Sequence, residues 1–379
     1  MIQLNANLSR LQPSPIRHYT RLALQTPGCA MLTIGEPDLN TPDAIKETAC
    51  AALWAGKTHY APNQGAPELR RAIAEFETRR GNPTAPEQIL VTVGASQALF
   101  AALLGILNPG EEIIVPTPGF MLYETIATVA GARTVPLDIS VTDYQIDGDA
   151  LNALITPKTK AILINSPCNP TGTVFNQASL DAVVRAVQDR DIFVVCDNVY
   201  RQLCYTDCPD ISLDSRLKEQ LILCQSFSKP HAMTGWRVGY LACPQYVMDR
   251  LLLLSAAMIA AVPTFIQDAA VTALNTDPTP MVEIYRSRRD YVCKRLDQMG
   301  LSYPKPEGAF YIFPDISRFG LRSDEFCSRM IREAKVAVVP GSCFGNDRHI
   351  RISYCYSQEE LALGLDRMEQ FLGTLNKGE

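Results

Sequence analysis

The chain has 379 residues, of which 47% are apolar and 20% charged, and its 35 basic and 40 acidic side chains leave a net charge of −5. At about 150 residues per domain the length suits two to three domains, and a chain so composed is neither wholly disordered nor in need of disulfides to bury a core. The mild acidic excess argues against nucleic acid or an anionic membrane as its general partner.

The N-terminus, MIQLNANLSRLQPSPIRHYT, lacks the basic start, apolar core and small-residue cleavage site of a secretion signal. The first forty residues carry many Pro, Gly and polar side chains and read as an arm lying on another surface. Further on, short β-branched runs alternate with helical periodicity. QILVTVG predicts a strand and SQALFAALLGILN a helix; EEIIVP predicts a strand and residues 120–130 a helix. KAILINSP is a strand, SLDAVVRAVQDR a helix and DIFVVCD a strand, and LILCQSFS and VGYLACP add two more. The alternation predicts an α/β fold with a largely parallel sheet covered by helices on both faces.

The stretch from Leu251 to Ile266 is too short for a comfortable membrane span and is interrupted by Ser255 and Pro263, so it predicts two buried helices broken at the proline. Near Asp277 the pattern changes. A long charged helix ending at Gly300, GAFYIFPDI, a helix from Ser323 to Ala334, AVVPGS, HIRISYCYS and a last helix from Gln358 to Leu375 suggest a smaller α+β domain. The division expected is 1–40 as the arm and part of the small domain, 41–280 as the large domain and 281–379 as the small C-terminal domain.

None of the 12 cysteines forms a C-x-x-C pair, and Cys204 and Cys208 are spaced too loosely for the usual zinc or redox motifs. With Cys196 and Cys224 in apolar runs, the cysteines read as reduced, buried thiols of a cytoplasmic protein. Four histidines, none paired at ligand spacing, make a dedicated metal site unexpected.

Five segments carry chemistry together: IGEPDLNTP around Gly35, NSPCNPTG from Asn165, CDNVY from Cys196, SFSKPHAMTGWRVGY from Ser226 and RISY from Arg351. Three of them sit at the C-terminal ends of predicted parallel strands, where open α/β sheets bind ligands. Lys229 follows one such strand, and a lysine amine whose charge is suppressed can form an imine with a carbonyl. Ser226, Ser228 and Arg237 suit a phosphate, the guanidinium through paired charged hydrogen bonds. The strand–glycine–helix VTVGASQ offers the free backbone N–H groups of Ala95, Ser96 and Gln97 at a helix N-terminus, and lacks both the dinucleotide fingerprint and the P-loop pattern. Asp197 ends an apolar strand and needs a donor; a protonated pyridine nitrogen would satisfy it. Tyr200 and Asn169 are placed to reach a ring oxygen, and Arg351 to clamp an α-carboxylate. Together these residue types describe a site for pyridoxal 5′-phosphate.

The same text resembles the class I/II aminotransferases of the fold type I pyridoxal-phosphate enzymes, from about Ile34 to Tyr354 and in the expected order. The resemblance implies a large domain with a mostly parallel seven-stranded sheet sandwiched by helices, plus a smaller α+β domain. It implies that Lys229 holds the cofactor as an internal aldimine and shuttles the Cα proton, with Asp197 on the ring nitrogen. Tyr200 and Asn169 are implied at the ring oxygen, and Ser226, Ser228, Arg237 and 95–97 at the phosphate. Phe120 would stack on the ring, and Tyr60 would reach the phosphate of a neighbouring subunit, so a homodimer with shared sites is implied. Gly35, Asn169 and Arg351 would bind the substrate carboxylate. The activity implied is ping-pong transfer of an amino group from an aromatic, dicarboxylic or diaminopimelate-type L-amino acid to a 2-oxo acid, 2-oxoglutarate foremost. Two other readings are weighed beside it: a C–S β-lyase acting on cystathionine-type substrates, and a non-enzymatic cofactor-sensing regulator, for which too few residues precede GEPD to hold a DNA-binding domain. Arg17 and Arg21 of the arm are placed to meet a second substrate carboxylate or to lie solvated at the surface, and the surface is the reading preferred. Two residues depart from the family text: Asn198, where an acid is common, and Pro230, which disfavours helical geometry at Lys229.

Overall fold

The computed structural model describes residues 5–375 apart from 12 and 14. The arm forms helix α1 (Pro15–Leu24) and the short strand β1 (Ala30–Met31), and α2 (Asp43–Trp54) and α3 (Pro67–Arg79) follow. The main sheet is then built in the order β2 (Ile89–Thr92), α4 (Gly94–Ile106), β3 (Glu112–Thr117), α5 (Leu122–Val129), β4 (Arg133–Asp138), α6 (Gly148–Leu154), β5 (Thr159–Asn165), α7 (Gln177–Val187), β6 (Phe193–Asp197), β7 (Leu221–Ser226) and β8 (Gly239–Ala242). Spatially the seven strands run β2-β8-β7-β6-β5-β3-β4, and only β8 is antiparallel to its neighbours. The fold is thus α/β with a mostly parallel seven-stranded sheet.

Strand alternation sorts the core into two layers. Ile162 and Ile164 of β5, Val194 and Cys196 of β6, and Leu221 and Leu223 of β7 pack with α2, α3, α7 and α9 (Thr264–Leu274). Their neighbours Ala161, Leu163, Val195, Ile222 and Cys224 pack on the opposite face with α4, α5 and α8 (Gln245–Met258). Both faces are covered, which is why these strands read as continuous apolar runs. Pro263 separates α8 from α9 at the predicted break. Among the described residues no helix is long and apolar enough to cross a membrane.

The six strands read from the sequence are all present. The seventh strand, which the resemblance implies but the residue pattern does not locate, is β4: only Leu137 of its sequence RTVPLD is buried and Pro136 interrupts it. It pairs with β3 alone, and an edge strand tolerates a residue that cannot donate to the ladder.

The C-terminal elements are α10 (Thr279–Gln298), β9 (Tyr311–Ile312), α11 (Ser323–Arg329), β10 (Val336–Ala337), β11 (Val339–Pro340), β12 (Ile350–Ser353) and α12 (Gln358–Leu375). The helix expected from Ser323 to Ala334 loses its α-helical register at Met330, passes through one wider turn and stops at Lys335, whose φ is +55°. β1 pairs in parallel with β10, and Tyr19 and Ala23 of α1 are buried with Phe326 and Leu365. The arm is therefore packed into this second core.

The cysteine expectation needs correction. Cys204 and Cys208 form a disulfide in the loop after β6, their Cα atoms 6.5 Å apart, within the normal span of such a bond. Cys50 is exposed, and the other cysteines remain thiols in buried or half-buried positions.

β8 lies so close to its neighbours that a Cβ on Gly239 would approach the Gln225 carbonyl oxygen to 2.5 Å and the Gly94 carbonyl carbon to 3.0 Å. Gly239→Ala is expected to lower stability by about 1–3 kcal/mol, read as a fall in the urea midpoint, because backbone on both sides cannot give way.

Candidate active site

The C-terminal ends of β2, β5, β6 and β7 open onto a cavity of about 990 Å³, closed on its far side by residues of the arm and of β12. Gly35, Ala95, Ser96, Phe120, Asn169 and Asp197 line it, as do Tyr200, Ser226, Ser228, Lys229, Arg237 and Arg351. Two expected residues do not. The Gln97 side chain turns away, accepting from the Val93 backbone N–H at 2.6 Å and donating to Ser255 Oγ at 3.1 Å, which leaves only its backbone N–H at the α4 N-terminus. Tyr60 stands outside the cavity and is 88% exposed in the single chain.

Asp197 ends β6 and is 4% exposed. Its Oδ2 accepts from the Tyr123 hydroxyl at 2.8 Å and its Oδ1 from the Val199 backbone N–H at a long 3.4 Å. Burial pushes its pKa up to about 6, against the opposing pull of these hydrogen bonds and of the Lys229 charge. No ion pair relieves it among the described residues.

Lys229 lies three residues beyond the end of β7. Its Nζ donates to the Gly35 carbonyl oxygen at 2.7 Å and stands 5.8 Å from the Phe310 ring centre. Burial lowers its pKa to about 8, with Arg237 and Arg351 adding to the effect and Cys355 and Glu36 opposing it. Pro230 does not turn the amine out of the cavity.

Ser226 Oγ and Ser228 Oγ are 2.9 Å apart, and the same loop returns at Arg237. Arg237 has a φ of +56°, a left-handed conformation that costs a non-glycine residue roughly 1–3 kcal/mol and is concentrated at functional sites. Its guanidinium lies over Gly94, where a Cβ would come within 2.9 Å of Nη2, so the glycine makes room for the arginine at the α4 N-terminus. Hydroxyls, guanidinium and helix N-terminus form one anion cup.

Arg351, on β12, is 2% exposed. Nη1 donates to Asn169 Oδ1 at 2.8 Å and Nη2 to the Thr33 carbonyl oxygen at 2.6 Å, while Nε is buried without an acceptor. The guanidinium lies 4.4 Å from the Tyr311 ring centre. Asn169 N–H donates to Asn165 Oδ1 at 3.0 Å, and Asn165 Nδ2 donates to the Asp197 carbonyl oxygen at 2.9 Å. One hydrogen-bonded chain thus joins Arg351 to the buried acid.

Sequence reasoning missed Tyr123, Asn165 and Tyr311. Tyr311 stands 2.8 Å, oxygen to oxygen, from Tyr200, and its hydroxyl occupies the space that any side chain at position 35 would need. NSPCNPTG and GAFYIFPDI were in view and Tyr123 falls in the helix read over 120–130, but nothing local marks which of these side chains faces the cavity. Arg17 and Arg21, expected on the solvated surface, line the outer part of the cavity.

The residues fit pyridoxal phosphate. A buried acid lacks a cation, an amine of lowered pKa shares its cavity, an anion cup lies beside the amine, and a buried guanidinium has a spare donor. A buried unpaired acid and a spare buried donor are costly without a ligand to meet them.

Comparison with known proteins agrees. The family model "Aminotransferase class I and II" matches residues 28–368. An aspartate aminotransferase of Pyrococcus abyssi is 41% identical over 97% of this chain and 98% of its own. An aromatic-amino-acid aminotransferase of Thermococcus litoralis is 40% identical, with the same coverage. The structure of an aspartate aminotransferase of Thermus thermophilus with maleate superposes with a TM-score of 0.93 at 35% identity, covering 98% of this chain and all (100%) of that one.

Asp197 sets a pH prediction. Its folded pKa of about 6 exceeds the ordinary 3.8, so the folded chain holds this proton more tightly than the unfolded one. Between those values the group's contribution to stability falls as pH rises, by about 3 kcal/mol in all. Asp197→Asn is expected to stabilise the cofactor-free chain at pH 7 but not at pH 4, measured by urea unfolding, while weakening cofactor binding at pH 7. Tyr123→Phe removes a donor to the charged carboxylate and is expected to weaken cofactor binding about tenfold or more, measured by equilibrium titration.

Proposed function

The chain belongs to the class I and II aminotransferase family and is a pyridoxal-phosphate-dependent transferase; from that premise we propose which of its residues carry the reaction. The observation that supports the assignment is the convergence on one cavity of the Lys229 amine, the buried Asp197 and the spare donor of Arg351.

When bound, pyridoxal phosphate supplies a reactive aldehyde carbon and an electron-withdrawing ring. Lys229 Nζ is the attachment point and the proton carrier: with a pKa near 8, a usable fraction is neutral at physiological pH and can take a proton from the substrate Cα. Asp197 would keep the ring nitrogen protonated. Tyr200 and Asn169 would donate to the ring oxygen, Phe120 would pack on the ring, and Ser226, Ser228, Arg237 and the N–H groups of Ala95, Ser96 and Gln97 would hold the phosphate. Arg351 Nε and the backbone at Gly35 orient the α-carboxylate, which fixes the Cα proton toward Lys229.

The amino donor is an L-amino acid and the acceptor a 2-oxo acid, with 2-oxoglutarate proposed, in a ping-pong exchange. Relatives named for aspartate, for aromatic amino acids and for N-acetyl-LL-diaminopimelate support those three donor classes. Nothing found supports the lyase or the regulator. Residues 41–280 are proposed as the cofactor-binding domain, with 1–40 and 281–379 forming the smaller one. We assign the chain to the cytoplasm, a reading supported by ten cysteines left as thiols.

The exposure of Tyr60 supports a homodimer in which it reaches the phosphate of a second copy. Tyr60→Phe is expected to weaken cofactor binding several-fold while sedimentation still reports a dimer; a monomeric wild type with full affinity would sink that part. Lys229→Ala is expected to abolish borohydride-trapped attachment of the cofactor and to cut transamination about a thousandfold or more.

A further inference from the structure

The loop after β6 carries the only disulfide among the described residues, and the reaction just described gives that bond no task. Cys204 lies four residues beyond Tyr200 and pairs in antiparallel fashion with Gly308. The Ala309 N–H donates to the Leu203 carbonyl oxygen at 2.9 Å, and a Cβ on Gly308 would come within 2.8 Å of that same oxygen. Tyr205, between the two cysteines, is buried and fixed to the segment that runs from α10 to β9. Its N–H donates to the Glu307 carbonyl oxygen at 2.8 Å, its own carbonyl oxygen receives Arg286 Nη1 at 2.5 Å, and its hydroxyl donates to the Ala309 carbonyl oxygen. The Arg289 guanidinium lies 4.8 Å from its ring centre. The Cys204 end of the loop is thus docked on residues 305–311, the stretch that brings Tyr311 to Tyr200.

Cys208 leads the other way. Two residues on, the buried side chain of Asp210 binds Arg80 at 2.6 Å and Arg201 at 2.9 Å and receives Asn198, the neighbour of Asp197. Along the backbone these two anchorages are joined through Thr206 and Asp207, which are both exposed. The disulfide is the short route between them, and Tyr200 and Arg201 lie inside the frame that it closes. The bond is also within reach of a reagent. Cys204 is half-buried while Cys208 is 5% exposed, so the first sulfur is the one met from outside. Arg201 Nη1 stands 3.5 Å from Cys204 Sγ and favours its thiolate once the bond is open. The other ten cysteines are thiols, and a single disulfide among thiols in a cytoplasmic chain belongs to the reversible, redox-sensing kind.

We propose that Cys204 and Cys208 form a reversible dithiol–disulfide site, exchanged by a dithiol reductant, that sets how firmly the enzyme holds its cofactor through the seat of Tyr200. A thiolate of the dithiol attacks Cys204 Sγ, forms a mixed disulfide and expels Cys208 as a thiolate, which takes up a proton. The second sulfur of the dithiol then attacks the first, closes the reagent's own disulfide and releases Cys204. Two electrons and two hydrogens pass from the reagent to the two cysteines, and the oxidised reagent reverses the exchange. With the bond open, the docked segment and the Asp210 group are joined only by exposed chain. The loop that carries Tyr200 then opens locally at lower cost, and the Tyr200–Tyr311 contact loosens with it.

The test uses the cofactor-loaded enzyme, wild type and Cys204→Ser, treated with dithiothreitol or with its oxidised form and then freed of reagent without air. The readouts are the thiol count of the denatured chain, hydrogen exchange over residues 198–210 and 305–312, and the rate of cofactor loss on dialysis. The oxidised wild type is expected to show ten thiols and the reduced wild type twelve. Reduction is expected to speed exchange in both segments about tenfold and cofactor loss about fivefold, and reoxidation to restore both. Cys204→Ser is expected to match the reduced wild type in either buffer, and the two states of the wild type decide the matter without it. Twelve thiols after the oxidised reagent would overturn the proposal. So would equal exchange over 305–312, or equal cofactor loss, in the ten-thiol and twelve-thiol forms.

Discussion

A carboxylate buried at the tip of a central strand is the costly element around which this molecule is arranged. Asp197 is held by one hydroxyl and one long backbone contact, and its burial drives its pKa up rather than down. A charge in that position is tolerable where its environment is fixed in advance and a cationic group can meet it. The fixing is visible: β6 lies between β5 and β7, and its backbone at Asp197 is held by Asn165 Nδ2. The same asparagine receives the N–H of Asn169, whose Oδ1 receives Arg351. Asp197 and Arg351 belong to different parts of the chain, yet four residues in series set their relation.

The cavity exists because two cores meet there. Lys229 reaches across to the Gly35 carbonyl, Tyr200 to Tyr311, and Arg351 to both Asn169 and Thr33. These contacts demand close approach of backbone. Gly35 cannot carry a side chain because the Tyr311 hydroxyl fills its place, and a Cβ on Gly172 would come within 2.6 Å of the Tyr311 carbonyl oxygen. The glycines of GEPD and NPTG are thus explained by one tyrosine that neither motif contains. Flexibility of the backbone is a secondary matter at Gly35; lack of volume is the reason for it.

Much of this was legible before any coordinates. Buried parallel strands are written as apolar runs, and polar residues that break such a run at its C-terminal end must face a ligand or a partner, which brought Asp197 and Ser226 to view but not Asn165, one strand over. The edge strand β4 was illegible because only Leu137 of its six residues is fully buried and Pro136 breaks its pattern, and α1 because Pro and polar residues dilute the few apolar positions, such as Tyr19 and Ala23, that it buries. Tyr123 and Tyr311 escaped for another reason. Each acts through a residue distant in sequence, Asp197 and Gly35, so its role is a fact of tertiary contact. The Cys204–Cys208 bond escaped because spacing argued only against metal and redox motifs, whereas a loop folded back on itself is free to bring two such cysteines together.

Asn198 shows how far the electrostatic constraint extends. It stands beside Asp197, and its Nδ2 lies 3.3 Å from both oxygens of Asp210. Asp210 in turn receives Arg80 at 2.6 Å, Arg201 at 2.9 Å and the Ser212 hydroxyl at 2.7 Å, and Arg80 also meets the buried Glu77 at 3.2 Å. Burial alone would raise the Asp210 pKa, but the two arginines and Ser212 outweigh it and hold the carboxyl below its usual range. Two arginines and two acids leave this group neutral. An acid at position 198 would add a third negative charge in contact with Asp210 and one residue from Asp197, where like charges disfavour ionisation. It would push the Asp197 pKa further up, against the ionised state that a protonated ring nitrogen requires. An asparagine donates to Asp210 instead of repelling it. The departure from the common family residue is therefore what this particular surrounding of Arg80, Arg201, Glu77 and Asp210 calls for, and Asp197 is insulated from these charges by an uncharged amide.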